Sequence, residues 1–100
     1  MKYPRHGHHV TAFADSYFVV TGSRKDLNDA STKAEIYDIR NDRFTTLASM
    51  KYGRHYHSSC EFNGEWVYVF CGIQNSNKRY FSSIERLNVK QALNNLNSAW

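Results

Sequence analysis

Met1-Lys2-Tyr3-Pro4-Arg5-His6-Gly7-His8 opens the chain, and Met50-Lys51-Tyr52-Gly53-Arg54-His55-Tyr56-His57 repeats it. Met, Lys, Tyr, Arg and both His recur at a constant offset, 50 − 1 = 49. A period near 50 residues belongs to architectures in which one supersecondary unit is copied and each copy buries its neighbour's face. The repeat divides the chain into units 1–49 and 50–100.

Working outward from these words, residues 8–13 and 57–62 read as strands, each followed by a turn and an aromatic, β-branched run at 17–21 and 66–71. Ala14-Asp15 and Asn63-Gly64 are the hairpin turns, and Asn-Gly is the stronger of the two signals. A two-residue turn at Asn63-Gly64 sets Phe62 opposite Glu65 and Cys60 opposite Val67, with Cys71 opposite Tyr56. Gly22 matches Gly72 at offset 72 − 22 = 50, which places one inserted residue near the second hairpin turn. Polar loops follow at 23–33 and 73–82. Third strands come next at 34–39 and 84–89, and a turn at 40–43 leads into a fourth strand at 44–47. The second unit has no counterpart of that fourth strand. Val89, Leu93, Leu96 and Trp100 have helical spacing, but Asn94, Asn95 and Asn97 are poor helix formers, so the reading favours a long turn over a short helix.

In 66–71, Trp66, Tyr68 and Phe70 point to one face, and Val67, Val69 and Cys71 to the other. Neither set is polar. Antiparallel sheets usually show water one polar face, so this sheet is expected between neighbours on both sides.

Composition bounds the function. Hydrophobic residues make up 41% and aromatics 15%, enough to order a domain whose faces find partners. Thirteen Lys and Arg against nine Asp and Glu give a net charge of +4, scattered over both halves, which indicates neither nucleic acid nor a membrane surface. Two cysteines, no glycosylation sequon, no leader and no long apolar run point to an intracellular protein. Cys60 and Cys71 lie in apolar runs and are expected to be buried thiols.

Together these residues resemble the kelch repeat, which runs from an Arg near the first strand through an apolar strand ending in Gly-Gly to Glu-x-Tyr-Asp and a Trp. Arg5, Gly22, Glu35, Tyr37 and Asp38 match in the first unit, with Phe44 where the family has Trp. In the second unit Arg54, Gly72, Glu85 and Trp100 match. Thr21 and Cys71 replace the first Gly of the pair, and Leu87 and Asn88 replace Tyr-Asp. The resemblance implies an all-β chain: two four-stranded antiparallel meander blades of a β-propeller, the second lacking its last strand, forming a fragment of a larger ring. Further blades of this or another chain would cover its exposed faces.

Function is expected in binding. A Ser elbow, phosphate loop, dinucleotide fingerprint and Cys-x-x-Cys are all missing, and the reading assigns no enzyme activity and no cofactor. The resemblance implies a scaffold or substrate-recognition module for a protein or peptide of acidic character. Its contacts are drawn from the polar loops and blade junction: Arg24, Lys25, Asn28, Arg54, Tyr56, Asn77, Lys78, Arg79 and Tyr80. The alternative is a metal-binding or copper-oxidase-like propeller using His6, His8, His55 and His57. Structural hydrogen bonding between blades is the commoner use of such repeated His. Arg5, Arg54, Glu35 and Glu85 recur in apolar surroundings and are expected to form buried Arg to Glu pairs.

Overall fold

A computed structural model describes residues 7–23, 31–73 and 83–100. These residues are all-β apart from one helical turn. β1 (His9–Phe13), β2 (Tyr17–Thr21), β3 (Ala34–Asp38) and β4 (Arg43–Thr46) form an antiparallel sheet in that order. β5 (Ser58–Phe62), β6 (Trp66–Phe70) and β7 (Ile84–Asn88) form a three-stranded antiparallel sheet. The strands correspond across the repeat: 58 − 9 and 66 − 17 both give 49, and 84 − 34 gives 50.

Both hairpins differ from the two-residue expectation. Phe13 pairs with Tyr17 and Phe62 with Trp66, so three residues turn the chain, and Cys60 lies opposite Tyr68 instead of Val67. The extra residue has a use in each copy. Its carbonyl accepts from the residue after the third strand, Ser16 O from Ile39 N at 2.9 Å and Glu65 O from Val89 N at 2.8 Å. Because the hairpin loops are equal, the insertion belongs at Cys71, which leaves the ladder with a φ of 63°. Cys71 therefore has no strand partner, and its expected pairing with Tyr56 does not form.

The core lies between the sheets. Phe13, Val19, Ala34, Ile36 and Leu47 from one side meet Val67 and Leu87 from the other. A hydroxyl pair, Thr11 Oγ1 with Ser59 Oγ, joins β1 to β5 across the junction. The faces that meet are not equivalent. Phe13, Val19 and Ile36 of the first sheet correspond to Phe62, Tyr68 and Arg86, which the second sheet turns away from the junction. Val67 and Leu87 correspond in turn to Phe18 and Tyr37, on the outward face of the first sheet. The sheets are stacked front to back.

Among the described residues no fourth strand lines β7. The expected long turn instead begins as α1 (Val89–Ala92), capped by the Asn88 side chain, which accepts from Gln91 N at 2.9 Å. Val89 and Ala92 are fully buried in the core, and that burial outweighs the weak helix propensity of the Asn-rich stretch behind them. Beyond the helix, Leu93 and Leu96 lie against Tyr17, Ile36 and Thr45 around a hollow of about 260 Å³. Trp100 packs on the core and its indole donates to Ala48 O at 2.6 Å. The tail thus covers the part of the four-stranded sheet that a three-stranded neighbour leaves bare.

Candidate interaction surface

The second copy of the repeated words occupies the seam. Residues 50–57 cross from the first sheet to the second as a chain of backbone hydrogen bonds. Met50 N donates to Thr32 O and Arg54 N to Ser31 O, while Ser23 N donates to Arg54 O at 2.9 Å. His55 then exchanges two bonds with Ile73, at 3.1 and 2.9 Å, and Tyr56 N donates to Gly7 O. The two matched glycines hold this segment on either side. A Cβ on Gly22 would stand 2.3 Å from Arg54 O, and one on Gly72 would stand 2.8 Å from His57 Cβ. Both glycines have positive φ, 63° and 99°.

Arg54 and Glu85 lock the crossing segment to the second sheet. The Arg54 side chain is 0% exposed, and its Nη1 donates to Cys71 O at 3.0 Å and Ser83 O at 2.9 Å. Its Nη2 donates to Ser83 Oγ and to Glu85 Oε2, both at 3.1 Å. Glu85 also accepts from Lys51 N on Oε1 at 2.6 Å and from Tyr52 N on Oε2 at 3.1 Å. The expected buried pair is present, and it explains the words: Lys51 and Tyr52 contribute backbone amides, and Arg54 its Nη2, to one carboxylate. Arg54 is accordingly a structural residue and not a partner contact. Its neighbour Tyr56 is the exposed one, at 60%, with a φ of 51°.

The histidines follow the structural pattern. His55 and His57 are buried, His57 Nε2 shares a 2.7 Å hydrogen bond with Thr21 Oγ1, and the His55 ring tilts against Tyr56 at 5.0 Å. Among the described residues, no group of three or more His, Cys, Asp or Glu is placed to hold a metal ion. His6 and Arg5 lie outside the described residues, as do Arg24, Lys25, Asn28, Asn77, Lys78, Arg79 and Tyr80.

The sequence implies exposed apolar outer faces but does not assign which residues lie on them. Cys60 and Cys71 are free and exposed, contrary to expectation: Cys60 shares the outward face with Phe62, and Cys71 has left the strand. That outward face of the second sheet is aromatic. Phe62 is 54% exposed and meets Tyr68 edge-on at 6.4 Å, while Trp66 lies under Arg86, whose Cζ is 4.1 Å from the ring centroid. Ile84 extends the patch at 65% exposure. The outward face of the first sheet carries Val10 and Phe18, with Tyr37 and Phe44 packed together at 4.7 Å. The alternation of apolar residues on both faces was the available signal for these surfaces, but not for which face is inward.

Near that second patch, the Tyr37 hydroxyl donates to Asp42 Oδ1 at 2.5 Å, a bond that raises the tyrosine pKa above its usual 10.0. Asp38 is held below its usual 3.8, first by the Asn41 side-chain amide at 2.7 Å and then by the backbone N–H groups of Asn41 and Arg40. These bonds fix the turn into β4. No helix among the described residues is long and apolar enough to cross a membrane. No protein-family model matches the chain, and comparison with curated proteins finds no match.

Proposed function

We propose that this chain is a two-blade segment of a kelch-type β-propeller acting as a non-catalytic protein interaction module. The observation that carries the reading is the front-to-back stacking of two equivalent antiparallel sheets. A front-to-back contact does not satisfy both partners: it leaves one used type of face open at each end, as in a propeller built of successive blades. The positions of the matched residues add support. Gly22 and Gly72 flank the crossing segment, Glu85 holds its amides, and Trp100 packs on the core, so the residues that carry the resemblance are structural.

Binding is then assigned to Tyr56 and to the polar loops that follow Gly22 and Gly72. Exposed Tyr56 at the seam, with the loop residues Arg24, Lys25, Asn28, Asn77, Lys78, Arg79 and Tyr80, suits a peptide of acidic character. Selection from a random peptide library on the purified chain tests this. Enrichment of acidic sequences is expected, with affinity falling at least tenfold in an R79E, Y56A double variant. An unenriched library, or stoichiometric zinc or copper lost on H55A, overturns the interaction reading.

A further inference from the structure

The junction between the two sheets is a worked example of what each outer face binds. The first sheet presents Thr11, Phe13, Val19 and Ile36, and the second receives them with Ser59, Val67 and Leu87. By the strand correspondence, the donor set recurs on the second sheet as Cys60, Phe62, Tyr68 and Arg86, facing outward. The receiving set recurs on the first sheet as Val10, Phe18 and Tyr37, also facing outward. Both halves of the junction therefore exist a second time on the same molecule, on opposite outward faces, with Phe62 54% and Val10 45% exposed.

We propose that the aromatic outer face of the second sheet binds the outer face of the first sheet of a second copy of this chain, head to tail. This inference rests on the observed stacking and is independent of the family reading. The internal junction supplies the register. Thr11 against Ser59 becomes Cys60 against Val10, an apolar pair replacing two hydroxyls. Val19 against Val67 becomes Tyr68 against Phe18, which enlarges the apolar contact. Thr21 against His57 becomes Phe70 against His8, so the polar link at the rim is lost while the centre becomes more aromatic. Aromatic anchors at the centre of a patch are the composition expected of an interface. Because the contact is heterologous, each added copy presents the same open face, and growth ends only if a ring closes.

The register makes the test specific. In a C71S background, V10C places a thiol opposite Cys60 of the next copy, and diamide oxidation of the two thiols should give a reducible ladder of dimer, trimer and longer species. Val10 retained in the same background should give none of it. Sedimentation velocity of the unmodified chain should show association beyond two copies. F62E and F18E should each weaken association at least tenfold, and since both side chains are exposed, each variant should keep its cooperative melt. Mixed in equal amounts, they retain one intact junction between them and should form a dimer that does not grow. A chain that stays monomeric at high concentration, an unmodified dimer that stops at two, or an equal ladder with Val10 in place overturns the proposal. If either glutamate variant fails to melt cooperatively, the thiol ladder alone decides.

Discussion

Replacing Arg54 with Ala tests whether the repeated words are structural. Among the described residues the guanidinium donates to two backbone carbonyls, one hydroxyl and the Glu85 carboxylate, all from a fully buried position. Removing one member of a buried ion pair costs about 3–5 kcal/mol, because the remaining charge keeps its desolvation without its partner. Small domains are stable by about 5–15 kcal/mol, so R54A should lose about a fifth or more of the total. For a domain of this size that corresponds to a fall in Tm of at least about 12 °C. Urea unfolding followed by the fluorescence of Trp66 and Trp100 measures it, with the m value checked for constancy. E85Q is the milder partner change. It keeps one acceptor oxygen but turns an amide donor toward the Lys51 or Tyr52 N–H, at about 1–3 kcal/mol. Because the two side chains share one network, the double variant should cost less than the sum of the singles by about 1–3 kcal/mol. An R54A cost below about 1 kcal/mol, or strict additivity, would refute the argument that this pair holds the seam.

Two glycines with the same sign of φ should respond differently. G22A drives a Cβ into Arg54 O and should abolish cooperative folding, whereas G64A meets nothing within 4 Å and should cost only the left-handed strain of about 1–2 kcal/mol. W100A removes the tail's anchor on the core and its bond to Ala48 O, and thermal melts should show a loss of about 2–4 kcal/mol, a half-exposed position discounting the full aromatic cost. The Asp38 carboxyl, titrated by NMR, should lose its proton below pH 3.8. Since its folded pKa is lowered, its contribution is present above the unfolded value and disappears as pH falls through the folded one, and N41A should move the midpoint back up. Tyr37 runs the opposite way. Its raised pKa gives a contribution present below pH 10.0 and lost as pH rises through the folded value, and D42N should lower that midpoint toward the usual range.

The strands were legible in the sequence because their signals are local. β2 has the bounds its aromatic and β-branched run implies, and β3 and β7 end one residue short of the reading. What was not legible depends on distant groups. Hairpin length is decided by Ile39 and Val89, which need the carbonyl of a third turn residue. The helix at Val89 exists because the core shared by the two sheets buries Val89 and Ala92, a fact that Asn-rich propensity cannot carry. Cys60 was misplaced for another reason: with apolar residues on both faces, alternation separates the faces but does not say which one a neighbour covers. Arg54 draws two expectations, a buried pair with Glu and a contact to a partner, which local pattern does not separate; its pairing with a residue 31 positions away places it in the interior.

The crossing segment has a consequence for the order in which the molecule assembles. Residues 50–57 belong by repetition to the second unit, yet the backbone groups of Met50 and Arg54 bond to Thr32, Ser31 and Ser23 of the first. The period of the sequence and the period of cooperativity are out of phase by about eight residues. A nascent chain released as far as Ser49 holds four strands with no partner for the amide of Ser23 or the carbonyl of Ser31. Only when Arg54 has emerged can the first sheet close its rim, and the same stretch then templates the second. Folding is therefore expected to proceed vectorially, each sheet being completed by the leading residues of the unit that follows it.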